Sequence, residues 1–175
     1  IYDLDNFCLV KELEEATDCV RSVAFSEKFL ASGSEDEKVR IYDLDTFCLV
    51  KELGEATAEV FSVAVSEMFL ASGSADKKVR IYVLDNFRLV KELGEATKEV
   101  YTLAFSEKFL ASGSEDNMVR IYDLDNFSLV KELGEATADV NTVAFSEKFL
   151  VSGSDDKKVR IYREGDFPFT NQLVP

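Results

Sequence analysis

Phe109-Leu110-Ala111-Ser112-Gly113-Ser114-Glu115-Asp116-Asn117-Met118-Val119-Arg120-Ile121-Tyr122 is the stretch of sequence that decides the fold. It recurs with few substitutions from Phe29, Phe69 and Phe149, so the chain repeats itself every forty residues. A fixed period of this length is typical of propellers, solenoids and other arrays in which each unit covers its neighbour's apolar face. We therefore treat 1–175 as one unit, with repeats at 1–40, 41–80, 81–120 and 121–160 and a partial copy at 161–175.

A single repeat predicts four short strands. In the third copy they cover Val100–Phe105, Phe109–Ser112, Val119–Tyr122 and Phe127–Leu133, separated by residues that favour turns. A helix over 129–136 is the alternative for the last of these, because Leu, Lys and Glu are good helix formers. Gly134 interrupts that helix after two turns. Four strands in forty residues match the size of a propeller blade, so the fold class is all-β.

The repeat resembles the WD40 family. The resemblance lies in Val-x-Ser/Thr-Val/Leu-Ala-Phe-Ser, followed by Phe-Leu-Ala-Ser-Gly-Ser-x-Asp-x-x-Val-Arg-Ile-Tyr, and it covers essentially the whole chain. It implies four-stranded antiparallel blades, four per chain. The family's Trp-Asp pair is missing, since tyrosine stands in place of the tryptophan. The family's Gly-His pair falls on Glu95-Ala96, and the chain has no histidine.

The resemblance also implies a hydrogen-bonded network within each blade. WD40 blades link a histidine, a serine, an aspartate and the tryptophan. Because the histidine is absent, the aspartate needs another donor, for which we consider Thr17, Thr57, Thr97 and Thr137. The retained network positions are Ser32, Asp36 and Tyr42; Ser72, Asp76 and Tyr82; Ser112, Asp116 and Tyr122; and Ser152, Asp156 and Tyr162.

The ends of the chain bear on how the ring closes. WD40 proteins commonly complete the last blade with an N-terminal outer strand, which here predicts a strand over Phe7–Leu13 and sixteen strands in all. Four blades alone would have to turn about 90° each, whereas eight need only about 45°. We therefore expect half of an eight-bladed homodimeric ring, or else a piece of a longer propeller chain. Phe167–Leu173 could form a competing outer strand, but Pro168 suits an edge, so we expect a peripheral tail.

Composition limits the partners. The net charge of -14 argues against nucleic acid and anionic membranes, and favours basic peptides, basic protein faces or simple solubility. No apolar run is long enough to span a bilayer. The three cysteines, Cys8, Cys19 and Cys48, show no paired spacing, which indicates free thiols in a reducing compartment. We expect the cytoplasm, with the nucleus left open.

The position that varies most between repeats supplies the candidate binding residues. It lies one residue into the first strand, at the predicted rim where WD40 proteins typically bind peptides, and aromatic residues and arginine are common interface anchors. Drift at a tolerant position is the alternative explanation. The four residues are Arg21, Phe61, Tyr101 and Asn141.

Two functions follow from these features. The first is a non-catalytic scaffold that binds a peptide or protein segment on the propeller rim, with a basic segment as one candidate. The second is a self-assembling repeat module, natural or engineered, with no specific ligand. We predict no enzyme, because histidine is absent and no P-loop, GxSxG, HExxH or CxxC motif occurs. We likewise expect no cofactor and no metal.

Overall fold

The computed structural model describes Ile1, Asp5 and residues 8–163, and within them the chain forms fifteen antiparallel strands. The strands form four sheets in which each strand pairs with the next along the chain. Three sheets have four strands each and the last has three. The strands are β1 Val20–Phe25, β2 Phe29–Ser34, β3 Val39–Asp43 and β4 Leu49–Leu53; β5 Val60–Val65, β6 Phe69–Ser74, β7 Val79–Val83 and β8 Leu89–Leu93; β9 Val100–Phe105, β10 Phe109–Ser114, β11 Val119–Asp123 and β12 Leu129–Leu133; and β13 Val140–Phe145, β14 Phe149–Ser154 and β15 Lys158–Arg163.

The predicted all-β blades are confirmed, with shifts at the strand ends. The first strand of the third copy has the predicted bounds, whereas the second and third extend further, to Ser114 and Asp123. The fourth begins at Leu129 instead of Phe127, because Phe127 has a positive φ of 55° and belongs to the turn. The alternative helix over 129–136 is wrong, since β12 pairs with β11 in an antiparallel ladder.

The first hairpin of each blade closes through a serine. In the third blade the Phe109 N–H donates to Ser106 Oγ at 3.0 Å, and the Ser106 N–H donates to the Phe109 carbonyl at 2.8 Å. This side chain supplies the hydrogen bonds that a longer loop would need, so three residues suffice for the turn. The same arrangement recurs at Ser26, Ser66 and Ser146.

The hydrophobic core lies between neighbouring blades. The innermost strands pack in chain order, β1 on β5, β5 on β9 and β9 on β13. Between the second and third blades, Ala71, Val79 and Ile81 of one face pack with Val100 and Leu103 of the next. Equivalent buried clusters join the first blade to the second and the third to the fourth. Stacking of blades, and not either face alone, therefore buries the apolar side chains.

Glycine permits the close approach of adjacent blades. A Cβ on Gly113 would lie 2.7 Å from Val140 Cγ1 and 3.1 Å from the Val140 carbonyl oxygen, both in the next blade. It would also lie 2.7 Å from Thr102 Cγ2. Gly33 and Gly73 meet Val60 and Val100 in the same way. The repeated Ser-Gly-Ser thus provides a socket for the first valine of the following blade.

The predicted sixteenth strand does not form within the described residues. Phe7 lies outside them, and 8–13 contain a single bridge residue, Leu9, so the expectation of a strand over Phe7–Leu13 is wrong for the chain by itself. Here the Val10 N–H donates to the Ile1 carbonyl at 2.8 Å. The fourth blade consequently has three described strands instead of four, with β15 at its edge. The tail prediction over Phe167–Leu173 lies outside the described residues.

Substituting Gly113→Ala is expected to lower the free energy of unfolding by about 1–3 kcal/mol, because the new methyl group overpacks the contact with Val140. Urea denaturation followed by circular dichroism measures the loss. Gly94→Ala is the matched control, since a Cβ at Gly94 meets no atom within 4 Å. Equal effects of the two substitutions would contradict the socket.

Candidate partner-binding rim

A β-bulge in the first strand of every blade sets the direction of the four candidate binding residues. In the first blade Val20 pairs with Ser34 and Ser22 pairs with Gly33, so Arg21 is the extra residue of the strand. Bulges re-aim a side chain and leave the extra residue outside the regular ladder. The bulge explains why this position tolerates such different residues. Phe61, Tyr101 and Asn141 occupy the same bulge in their blades.

The structure brings two of these four residues into contact. The rings of Phe61 and Tyr101 meet edge to face across adjacent blades, with their centroids 5.5 Å apart. Arg21 instead forms an ion pair with Glu35, and Asn141 donates a hydrogen bond to Asp155, each within its own blade. The four therefore form a row along one rim with an aromatic pair at its centre.

Carboxylates surround the aromatic pair. The residue before each first strand hydrogen-bonds through its carbonyl to the residue after each Ser-Gly-Ser, so Glu99 lies beside Glu115 and Asp139 beside Asp155. Burial, together with the negative charge of Glu99, Glu115 and Asp139, raises the pKa of Tyr101 to about 12. Lys98, which pairs with Glu115 at 3.1 Å, neutralises part of this charge. We call the four bulge residues together with Glu35, Glu59, Glu99, Glu115, Asp139 and Asp155 the acidic rim.

One group on the acidic rim has metal-ligand atoms close together. Asp18, Cys19 and Glu35 place one ligand atom each within 4.8 Å of one another. Asp18 and Cys19 are exposed, and the guanidinium of Arg21 already pairs with Glu35. The cation at this point of the rim is thus the protein's own arginine.

The aspartate of the predicted blade network accepts hydrogen bonds from threonine and arginine. In the first blade the Thr17 N–H and hydroxyl donate to Asp36 Oδ2 at 2.8 and 3.2 Å. Arg40 donates to the same carboxylate, and both side chains are almost fully buried. Burial opposes ionisation of Asp36, but the hydrogen bonds from Arg40 and Thr17 outweigh it and lower its pKa to about 2. The other blades repeat this contact through Asp76, Asp116 and Asp156.

The tyrosine hydroxyl of the predicted network bonds to a glutamate and not to the aspartate. The Tyr122 hydroxyl lies 3.3 Å from Glu95, in the loop that connects the preceding blade, and Tyr82 and Tyr162 contact Glu55 and Glu135 equivalently. Burial, then the charge of Glu95, raises the pKa of Tyr122. The serine of each blade lies beside its tyrosine and offsets part of the rise in the tyrosine's pKa, at Ser32, Ser72, Ser112 and Ser152. Serine, aspartate and tyrosine therefore divide between two separate networks.

Sequence reasoning missed the arginine in Val-Arg-Ile-Tyr. Arg120 is only 3% exposed, yet its Nε donates to Glu132 at 2.8 Å and its Nη2 to Asp116 at 2.8 Å. It thereby links the turn before β11 to the outer strand β12. The signal was present in the sequence, because every copy keeps an arginine between two apolar residues of a strand. A cation retained at such a position needs a buried carboxylate partner.

The sequence also gave no sign of the surface grooves at the opposite end of the blades. One groove of about 940 Å³ lies between the third and fourth blades, beside Phe105, Phe145 and Phe149. Similar grooves follow the Ser-Glu-Lys and Ser-Glu-Met turns of the earlier blades. They repeat with the blades and lie away from the acidic rim, so they are separate from the predicted binding position.

Four consecutive antiparallel sheets that pack face to face in chain order define a β-propeller. The family model described as WD domain, G-beta repeat matches residues 7–43, 47–82, 87–123 and 127–163. The chain therefore belongs to the WD40 repeat family, as its sequence indicates. Proteins of this family are generally protein-interaction scaffolds.

Two solved structures support the fold alone, since each is only 22% identical to this chain. The computationally designed Ika4 protein matches with a TM-score of 0.81 over 87% of this chain and 95% of its own. The computationally designed Ika8 protein matches with a TM-score of 0.80 over 86% of this chain. The matched part is 48% of Ika8, so this chain spans about half the length of that protein. A comparison with curated protein sequences gives no significant match.

Asp36→Asn is expected to lower the free energy of unfolding by about 1.5–3 kcal/mol at neutral pH, because it weakens charged hydrogen bonds to buried Arg40. The pKa of Asp36 is lowered from 3.8 to about 2 on folding. Its contribution is therefore complete above pH 3.8 and lost as the pH falls through about 2.

Urea unfolding of the wild type and the variant at a series of pH values measures this contribution. The difference between the two proteins is expected to narrow as the pH falls through that range. Asp45→Asn, which removes one carboxylate from an exposed turn, is the matched control. A wild-type-to-variant difference that stays constant down to pH 2 would contradict the assignment.

Proposed function

We propose that this chain is a non-catalytic protein-interaction module that binds a basic peptide segment along the acidic rim. The observation that carries the proposal is the edge-to-face pair of Phe61 and Tyr101 set among Glu99, Glu115 and Asp139. Aromatic faces attract lysine and arginine side chains, and the carboxylates supply the opposite charge. Arg21 and Asn141 continue the row on either side and offer hydrogen-bond donors to the peptide backbone.

The overall charge supports this class of partner. With 34 acidic and 20 basic residues, the chain repels phosphate backbones and anionic lipid surfaces, which leaves basic protein segments as the favoured ligands. No helix in the described part of the chain is long and apolar enough to cross a membrane. Cys8, Cys19 and Cys48 are exposed and form no disulfide with one another, which is compatible with a reducing compartment, and we propose the cytoplasm.

Fluorescence anisotropy with a labelled lysine- and arginine-rich peptide tests the rim directly. The expected result is saturable binding that weakens as ionic strength rises, because exposed charge pairs are screened by salt. An acidic peptide of equal length should not bind. The absence of any difference between the two peptides would overturn the proposal.

Substitutions localise the binding. We expect Glu99→Gln with Glu115→Gln to weaken binding about tenfold, and Phe61→Ala to weaken it by a similar factor. The matched control is Glu27→Gln with Glu107→Gln, which removes the same charge from exposed turns at the opposite end. A control that weakens binding as much as the rim variant would show that net charge, and not the rim, attracts the peptide.

A further inference from the structure

The two terminal blades leave complementary faces uncovered. On the first blade, Val20 and Val23 are 52% and 57% exposed, whereas their counterparts in the later blades, such as Val60 and Val63, are buried. On the last blade, Val159 and Ile161 are 71% and 67% exposed, although their counterparts in the earlier blades are also buried. Among the described strands, β13 makes no packing against β1 comparable to the contacts between successive inner strands. The four blades thus form an open arc.

We propose that a second copy of this chain covers both faces, so that two chains close one eight-bladed ring. The last blade of each copy packs on the first blade of the other, which uses every uncovered face and closes with two-fold symmetry. The contacts between successive blades show what these two junctions require. For each repeated contact, the last blade carries one of the two partner residues and the first blade carries the other.

The socket is one half of such a contact. Gly33, Gly73 and Gly113 each receive the first valine of the next blade, whereas a Cβ on Gly153 would meet only Thr142 of its own blade. Val20 is the equivalent valine of the first blade, and among the described residues no glycine of a preceding blade lies against it. Docking Val20 of a second copy at Gly153 repeats the contact made inside the chain.

A hydrogen bond that is repeated between successive blades also predicts a junction between two copies. The hydroxyl of Ser22 accepts from the Val63 N–H at 3.1 Å, that of Ser62 from Leu103 at 3.1 Å, and that of Thr102 from Val143 at 3.2 Å. The next members of this series are the hydroxyl of Thr142 and the N–H of Val23. They lie at opposite ends of the arc and meet when two copies join.

An aromatic contact that is repeated between successive blades also predicts this junction. Phe29 stacks edge to face on Phe87 with centroids 5.1 Å apart, and Phe69 stacks on Phe127 at 5.4 Å. Continuing this series around the ring, Phe149 of one copy is expected to contact Phe47 of the second copy. Phe149 is exposed in the single chain. This exposure is expected if the second copy covers its ring.

The N-terminal segment of the second copy provides a fourth strand for the last blade, of which the described residues form three. Thr17 already bonds Asp36, as in the later loops, so 9–13 emerge where the outer strand of a preceding blade would end. In the earlier blades this strand carries a glutamate, such as Glu52 or Glu92, that pairs with a lysine and an arginine of the neighbouring strand. Among the described residues, Glu12 has no basic partner and the ammonium of Lys158 has no acidic one.

The mass in solution of the full chain tests the proposal. Light scattering across a concentration series is expected to give about 39 kDa, twice the chain mass of 19.6 kDa. A mass near 20 kDa would overturn it, and so would larger assemblies, which indicate open chains of copies. Binding of the basic peptide by a single-chain species would overturn the dimer while leaving the proposed function intact.

A charge exchange tests the outer strand. Glu12→Lys alone and Lys158→Glu alone should each raise the midpoint concentration for dissociation about tenfold, and the double variant should restore it. A midpoint concentration that stays at the wild-type value in both single variants overturns the strand exchange.

Val23→Asp tests the blade face. It is expected to give single chains, because it buries a charge at the junction, while the circular-dichroism spectrum stays that of the wild type. Met68→Asp, at an exposed residue outside both faces, is the matched control and should remain dimeric. Dimers of Val23→Asp as stable as those of the control would rule out the junction.

Discussion

The close fit of one blade against the next is the constraint on which the structure depends. A blade of four short strands has two faces and cannot bury either alone, so its alanine, valine and isoleucine side chains need a neighbour. The Ser-Gly-Ser segment makes the approach close enough by leaving room for a valine, as Gly73 does for Val100. Because every repeat carries both the socket and the valine, the same forty residues can be stacked without adjustment.

Charged networks fix the loops around this apolar core. The family's tryptophan and histidine are absent, and the blade uses other groups in their place. Arginine and threonine hold the buried aspartate, which keeps it ionised, and the connecting-loop glutamate holds the tyrosine hydroxyl. Arg120 also reaches Glu132, so one buried cation joins a turn to the outer strand. Removing one member of a buried pair of this kind leaves the other charge uncompensated, which is strongly destabilising.

The sequence predicted the strands well because their pattern is local. Val100–Phe105 is rich in β-branched and aromatic residues, which favour strands, and its bounds were as predicted. It could not predict that Phe127 adopts a positive φ, since a phenylalanine rarely does so. The same φ recurs at Phe47 and Phe87, and in each turn the phenylalanine N–H donates to the carbonyl four residues earlier. The bulge at Tyr101 was also invisible, because a bulge depends on the register of the paired strand. The row of rim residues was predicted from variation alone, and the contacts of Arg21 and Asn141 with acidic neighbours needed the structure.

Stacked blades, the acidic rim and the two open faces all require that successive repeats meet through glycine and valine. Nuclear Overhauser spectroscopy on protein with labelled valine methyl groups measures this contact most directly. We expect cross-peaks from the Val60, Val100 and Val140 methyl groups to the α-protons of Gly33, Gly73 and Gly113, respectively. If these cross-peaks are absent while the strands within each blade remain paired, the repeats do not stack through glycine and valine.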